Sequence, residues 1–169
     1  MKPKTVGRIS GEVTVETPCL VSGLRADSVI MTLSGEMAVS DLSPGDRVIT
    51  RDSGMAHVRS AISRKVLCRA VRILAGSLGH TRPDCDVTLP AGQPVLVRDW
   101  RARAIFGARQ ALVPAHRLID GEYIIDQGEV ELTLYHLVFD APHVLYVDGL
   151  ELSSDASAGV SGETGSAAA

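Results

Sequence analysis

Short runs rich in β-branched residues, each ended by turn residues, recur along almost the whole 169-residue chain. The clearest runs are Ser28–Thr32, Arg47–Thr50, Val66–Ile73, Val95–Val97, Ala111–Val113, Tyr123–Ile125, Val130–Phe139 and Val144–Val147. Gly, Pro, Asp and Ser supply the turns between them, including one at Gln127–Gly128. Because these runs are closely spaced and do not alternate with long helices, the sequence predicts an all-β domain.

Helix-forming segments are few and short. Val39–Leu42 and Pro114–Ile119 are each predicted to form about one helical turn, with Pro114 suited to an early helical position. Trp100–Arg109 has a helix-forming composition, but Gly107 and the strands predicted on either side favour a hairpin there.

A seven-residue pattern occurs twice in the chain. Leu42–Val48 has the sequence LSPGDRV and Leu118–Ile124 has the sequence LIDGEYI, so leucine, glycine, an acid and an aliphatic residue share one spacing. In such a turn the leucine is buried, the glycine lets the backbone reverse, and a new strand follows. The repeat predicts two halves related by a pseudo-twofold axis, with Leu42 and Val48 in core positions equivalent to those of Leu118 and Ile124.

Composition and charge narrow the range of partners. The chain has 17 basic and 20 acidic residues, a net charge of -3, and all six aromatic residues lie after residue 99. Nucleic-acid binding needs clustered positive charge or stacking rings, so no nucleic-acid partner is predicted. No apolar run approaches the roughly 20 residues that cross a bilayer, so no membrane partner is predicted either. Two neighbouring pairs, Arg51 with Asp52 and Arg98 with Asp99, are predicted to be surface ion pairs at strand ends.

The cysteines and the N-terminal residues indicate where the protein is located and whether it binds a metal ion. Three cysteines are too few, and odd in number, for a disulfide scaffold. Met1–Val15 lacks the continuous apolar segment of a secretory signal, which predicts a cytoplasmic protein or one exported without an N-terminal signal. Cys68, His80, Cys85 and His57 match no standard zinc spacing, so no metal and no other cofactor is predicted.

Three segments are predicted along the chain. Residues 1–22 form an extension with one strand, Glu12–Glu16, which alternates polar and apolar residues. Residues 23–152 form the domain. Residues 153–169 are predicted to be a disordered tail, because Val160 is their one large aliphatic side chain and its burial cannot offset the entropy of ordering the segment.

The stretch from Ser28 to Gly54 resembles the opening of the Hint domain, the self-processing fold shared by hedgehog C-terminal domains and inteins, in its bacterial form. The resemblance continues in the same order through Pro94–Arg98, Ala111–Ala115, Leu118–Ile124, His136–Phe139, His143–Val144 and Gly149. It covers roughly Gly23 to Leu152. It implies a flattened horseshoe of short strands with two pseudo-symmetric halves, which is what the repeated turn also predicts.

The resemblance also implies a chemistry. In the family, a Cys or Ser at the first domain position attacks the preceding carbonyl, and a later histidine protonates the departing amide nitrogen. Counting from the matching motifs places Gly23 at the nucleophile position and Gln93 at the histidine position, and Asp27 stands where a glycine is usual. Glycine has no side chain with which to attack, and glutamine exchanges no proton near pH 7. The resemblance therefore implies a domain of the self-processing class that is degenerate for the N–S or N–O acyl shift.

Neighbouring residues offer substitutes for the missing groups. Ser22 lies one residue before the nucleophile position, and Cys19 lies four residues before it. His143 is the best remaining acid or base, because the family's final strands return to the first. The chain has no asparagine, which excludes splicing by asparagine cyclisation. The alternative function is a non-catalytic β-domain whose cleft binds a peptide segment or a partner protein.

Overall fold

The computed structural model describes residues 21–155 and the backbone of residues 161 and 162, so the predicted strand Glu12–Glu16 and Cys19 lie outside the described residues. Its strands are β1 (Leu24–Arg25), β2 (Val29–Thr32), β3 (Gly35–Ala38), β4 (Arg47–Thr50), β5 (Gly54–His57), β6 (Ser60–Ile73), β7 (Val87–Pro90), β8 (Pro94–Val97), β9 (Ala111–Pro114), β10 (Ile124–Val138), β11 (Val144–Val147), β12 (Leu150–Ser153) and β13 (Ser161–Gly162). The helices of the described segments are α1 (Trp100–Phe106) and two 3-10 helices, Val39–Asp41 and Ala115–Leu118. The all-β prediction is confirmed.

The strands form two antiparallel sheets. The first sheet has the order β1-β10-β6-β7 and is built around the long ribbon of β6 and β10, in which Ile73 pairs with Ile124 and Ser60 with Val138. The second has the order β13-β9-β8-β12-β11-β2-β4-β5, with β3 paired to β2. The fold therefore combines one long two-stranded ribbon with many strands of two to four residues.

The two halves of the chain repeat one arrangement. In the first half, the β2–β3 hairpin runs directly into the 3-10 helix Val39–Asp41, and in the second half the β8–β9 pair runs directly into Ala115–Leu118. Both helices are followed by the repeated glycine turn and then by a strand. Leu42, Val48, Leu118 and Ile124 are all buried in the same core, as the shared spacing predicts.

Aliphatic side chains make up most of the core, because the first 99 residues contain no aromatic ring. Ile30, Val48, Ile73, Leu145 and Leu152 are completely buried where the inner faces of the strands meet. Burying one such side chain contributes about 1.5–3 kcal/mol. This core fixes the ends of β1, β8 and β12, and those ends meet beside Gly23.

The prediction of a hairpin at Trp100–Arg109 is wrong, because residues 100–106 form α1. The Asp99 side chain accepts the Arg101 backbone N–H at 3.0 Å, which caps the start of the helix. Gly107 adopts a left-handed conformation with φ of 68°, and its N–H bonds to carbonyls of the last turn. The two capping interactions stabilise a helix in this segment more than the neighbouring strands favour a hairpin. No helix within residues 21–155 is long and apolar enough to span a membrane.

Two predicted boundaries also differ from the structure. The turn predicted at Gln127–Gly128 is a bulge within β10, where the pairing with β6 shifts register between Asp126 and Gly128. The sequence predicts that the C-terminal tail begins at Ser153, but Ser153 is buried and is the last residue of β12. The folded chain therefore continues past Leu152, and most of the predicted tail lies outside the described residues.

Candidate functional site

Gly23 and Gln93, which the resemblance places at the two catalytic positions, are neighbours in space. Gly23 lies just before β1, and Gln93 lies in the turn between β7 and β8. The Gly23 backbone N–H donates to Gln93 Oε1 at 3.0 Å, across 70 residues of sequence. The resemblance assigns these two residues to one site, and in the structure they are in contact.

The Gln93 side chain joins three separate segments. It is only 2% exposed, and besides accepting from Gly23 it donates Nε2–H to the carbonyl of Ser153 at 2.8 Å and to that of Pro94 at 3.1 Å. A neutral amide carries both donors and an acceptor, so it satisfies all of these buried groups at once. Gln93 thus acts as a hydrogen-bonded crosslink between the start of the domain and β12.

The backbone at Gly23 is closed to a side chain. Its φ is +143°, which side chains with a Cβ rarely adopt, and a Cβ built there would lie 3.1 Å from Leu134 Cβ and 3.4 Å from the Tyr135 carbonyl oxygen. A cysteine or serine could take this position only if the backbone and Leu134 both shifted. The position of the family's nucleophile is thus occupied by tightly packed backbone.

A crevice of about 10 Å³ lies beside Gly23. Its lining includes Ser22, Gln93, Tyr135, His136, Ser153 and Ser154. A void of this size holds at most about one water molecule. The crevice therefore leaves little room for a second reactant at this end of the domain.

Ser22, the nearest candidate nucleophile, is half-buried and lines this crevice. The carbonyl that its Oγ would attack belongs to Val21, and that carbonyl accepts the Gly92 backbone N–H at 2.9 Å. His136, an exposed residue of β10, is the histidine among the residues that line the crevice. In the described residues, the His136 side chain has no hydrogen-bond partner that would orient it toward Ser22.

His143, the candidate acid or base, is held by a different set of side chains. Its Nδ1 lies 3.0 Å from Asp52 Oδ2 and 3.2 Å from Ser53 Oγ, and its ring packs edge-on against Phe139 with centroids 5.8 Å apart. Its backbone N–H donates to Ser154 Oγ at 2.9 Å, whereas its ring contacts Asp52. His143 is not among the residues that line the crevice beside Gly23.

The pKa of Asp52 is lowered from its usual value. Partial burial alone would raise the pKa, but the backbone N–H of Val144 and the imidazole of His143 favour the charged carboxylate and outweigh that effect. Asp52 Oδ1 accepts the Val144 N–H at 3.0 Å, so the carboxylate joins the turn after β4 to the start of β11. The Asp52–His143 pair therefore has a structural role in joining the two segments.

The two described cysteines differ in their environments. Cys68 is buried on β6, and burial raises the pKa of its thiol, which makes the thiolate scarce. Cys85 is exposed in the loop between β6 and β7. No group of three His, Cys, Asp or Glu side chains in the described segments is placed to hold a metal ion.

Comparison with known proteins gives the family. A family model described as "Hint domain" matches residues 18–157. Solved structures with a similar fold include an intein-like bacterial domain from Clostridium thermocellum (15% identity, TM-score 0.52, covering 78% of this chain and 97% of that one). They also include the TvoVMA intein (12% identity, TM-score 0.57, covering 79% of this chain and 98% of that one). The gp41-1 intein is similar as well (14% identity, TM-score 0.51, covering 78% of this chain and 98% of that one). No curated protein matches the chain. The family match spans most of the sequence, and the chain belongs to the Hint domain family.

Proposed function

We propose that this Hint domain keeps the fold of the self-processing class but does not cleave its own chain. An N–S or N–O acyl shift requires a thiol or hydroxyl to attack the preceding carbonyl, the C–N bond to break, and the departing nitrogen to gain a proton. At the family's reaction position the attacking group would have to come from Gly23, which has none. The proton would have to come from Gln93.

One contact carries the proposal. Gln93 presents its acceptor oxygen, Oε1, to the Gly23 N–H at 3.0 Å. A histidine could deliver a proton to this nitrogen, whereas an amide oxygen accepts the N–H and so stabilises the intact peptide bond. Two further observations support the proposal: the crevice beside Gly23 is only about 10 Å³, and the φ of +143° at Gly23 disfavours a residue with a Cβ at that position.

The test is intact-mass spectrometry of the purified chain after native incubation with hydroxylamine or with dithiothreitol. We expect the full-length mass alone. If Ser22 formed an ester, hydroxylamine would release residues 1–21 as a hydroxamate and leave 22–169. If Cys19 formed a thioester, the fragments would be 1–18 and 19–169. Either pair of fragments would overturn the proposal if it disappears in the matching variant, Ser22→Ala or Cys19→Ala.

Two matched variants identify the source of any fragment. Ser22→Ala removes only the hydroxyl that lines the crevice, and Cys19→Ala removes only the thiol. A fragment that disappears in one variant and persists in the other identifies the nucleophile. Persistence in both variants would indicate contaminating proteolysis, which leaves the proposal standing.

A second candidate function is binding of a peptide segment or partner protein without cleavage. Its candidate contact points are two large aliphatic side chains exposed on β6, Ile62 at 58% and Leu67 at 65%, which are an odd number of residues apart and therefore lie on opposite faces of the strand. Proximity labelling in the native host would compare the wild-type chain with Ile62→Lys/Leu67→Lys. Proteins labelled by the wild type and lost in the variant would support this function, and equal labelling would contradict it.

A further inference from the structure

The outer face of the second sheet is apolar near β2. Ile30 points into the core and is completely buried, so its neighbours Val29 and Met31 point to the opposite face. Ile49 on β4 and Tyr146 on β11 lie on the same outer face. The solvent side of an antiparallel sheet ordinarily carries polar residues, and a continuous apolar patch there indicates a binding surface.

These side chains form the floor of a cavity of about 680 Å³. The loop between β6 and β7 contributes one wall and lies close to the turn between β11 and β12, where a Cβ on Gly149 would be 3.4 Å from Pro83 Cα. The volume is within the range of about 300–1,000 Å³ that is typical of small-molecule sites. The cavity shares no lining residue with the crevice beside Gly23.

Three guanidinium groups converge on one carboxylate in this cavity. Arg98 Nε donates to Glu151 Oε1 at 2.9 Å. Arg82 Nη1 lies 3.2 Å from the same oxygen, and Arg51 Nε lies 3.7 Å from Oε2. The Glu151 side chain is only 2% exposed, whereas those of the three arginines are 25–35% exposed. The three guanidinium groups and the Glu151 carboxylate together carry a net charge of about +2, but with Glu36, Asp84 and Asp148 the lining as a whole has three positive and four negative groups.

Three other carboxylates line the cavity: those of Glu36, Asp84 and Asp148. In the described part of the chain, none of them lies within 4.0 Å of a nitrogen of the three arginines, so they form no ion pair with the cluster. Asp148 Oδ1 instead accepts the Val29 backbone N–H at 2.9 Å. Their negative charge opposes every anion in the cavity, and it opposes a polyanion such as a nucleotide more than a monocarboxylate, because the repulsion grows with the charge of the ligand.

We propose that this cavity binds a small monocarboxylate with an apolar chain. Each guanidinium has five N–H donors, and one carboxylate accepts about four hydrogen bonds. Arg51 Nη2 also donates to Gln110 Oε1 at 3.2 Å, so the donors left for a second carboxylate are chiefly those of Arg82 and Arg98. The apolar chain of the ligand covers Val29, Met31 and Ile49. Binding at this site requires no self-cleavage and goes beyond the proposed function.

Calorimetric titration of the full chain with butanoate, hexanoate and octanoate tests the proposal, with 1-octanol and inorganic phosphate as comparison ligands. We expect octanoate to bind about 10- to 100-fold more tightly than 1-octanol, because the alcohol lacks the charge-assisted hydrogen bonds. Affinity should rise about fourfold with each added methylene until the floor is covered. Equal binding of octanol, no dependence on chain length, or phosphate binding as tightly as octanoate would each overturn the proposal.

Two variants separate the cavity from the rest of the surface. Arg82→Gln removes one guanidinium and leaves Arg98 and Arg51 beside Glu151, and we expect it to weaken octanoate binding about tenfold or more. Arg64→Gln is the matched control, since Arg64 is exposed on β6 outside the cavity. Equal loss of binding in both variants would contradict the site.

A chemical readout on the wild-type chain does not depend on how the variants fold. Cys85 is exposed and lines the cavity, whereas Cys68 is buried on β6. The rate at which N-ethylmaleimide alkylates Cys85 can be measured by peptide mapping. Octanoate should lower this rate, whereas 1-octanol at the same concentration should not. An unchanged rate at Cys85 under saturating octanoate would show that the ligand binds elsewhere and would refute the assignment.

Discussion

Replacing Gln93 with alanine should be among the most destabilising single changes to the domain. The substitution removes the partner of two buried backbone groups, the Gly23 N–H and the Ser153 carbonyl, along with the bond to Pro94. A buried polar group that loses its partner costs about 1–3 kcal/mol, so two such groups cost about 2–6 kcal/mol. Because small domains are stable by only about 5–15 kcal/mol, this loss is a large share of the total.

Urea denaturation of the wild type and of Gln93→Ala, fitted with one common m-value, measures the difference in their free energies of unfolding. Gln127→Ala is the matched control, because Gln127 is exposed and only accepts a 3.2 Å hydrogen bond from the Thr88 hydroxyl. Its cost should stay within about 0.5 kcal/mol. If Gln93→Ala falls within about 1 kcal/mol of this control, Gln93 is not the buried crosslink inferred from its three hydrogen bonds.

Gln93→Glu tests the direction of each hydrogen bond. The carboxylate can still accept from Gly23, but it has no hydrogen to donate to Ser153 and instead brings negative charge against a carbonyl oxygen. We expect this variant to be strongly destabilised at neutral pH. It should regain part of its stability in acid, where a protonated carboxyl can donate again. Equal destabilisation at both pH values would mean that the donor to Ser153 contributes little.

Three further predictions follow from the fold. Leu42→Ala and Leu118→Ala should each cost about 2–5 kcal/mol in chemical denaturation, because both leucines are buried at the repeated turn; a cost below about 1 kcal/mol in only one of them would contradict their equivalence. Gly23→Ala should cost about 1–3 kcal/mol, because it forces a Cβ against Leu134 at positive φ; an unchanged melting temperature would show that the backbone adapts freely. The lowered pKa of Asp52 contributes stability that is complete above its unfolded pKa of about 3.9 and is lost as the pH falls through the lower folded value. Asp52→Asn should therefore lose less stability on acidification than the wild type, and parallel pH profiles would argue against this contribution.

Local patterns predicted the all-β class and the strands β2, β4, β8, β9 and β11, but not β3, β5, β7 or β12. The two Leu-x-x-Gly-acid turns indicated both 3-10 helices and the pseudo-symmetric halves, because a buried leucine and a glycine reversal act within a few residues. Where two local signals competed, the prediction was wrong. At α1, Asp99 and Gly107 cap the helix at both ends, and the flanking strand pattern masked them. At Gly128, a glycine that signals a turn is accommodated as a bulge because the long pairing between β6 and β10 continues past it.

The candidate site, too, was predicted from the sequence only in part. The family resemblance placed Gly23 and Gln93 together, but it did not indicate the direction of their hydrogen bond or the closed backbone at Gly23, which depends on Leu134 from another strand. Arg51 and Arg98 were predicted to form ion pairs with the aspartates beside them in sequence. Instead both turn toward Glu151, which comes from β12. No sequence pattern signals a cluster that is assembled from segments so far apart.

The order of the first sheet has a consequence for how the chain can fold. Across β1-β10-β6-β7, strands from the first half alternate with strands from the second, so every pairing in that sheet joins the two halves. None of its ladders can begin before β7 has been synthesised, and both pairings of β10 must wait until residue 124 is available. Such non-local closure slows folding, whereas the β2–β3 and β4–β5 hairpins of the other sheet can form early from adjacent residues. During synthesis the growing chain therefore carries β6 without either of its partners, and that 14-residue strand remains open to pairing with other chains until the second half arrives.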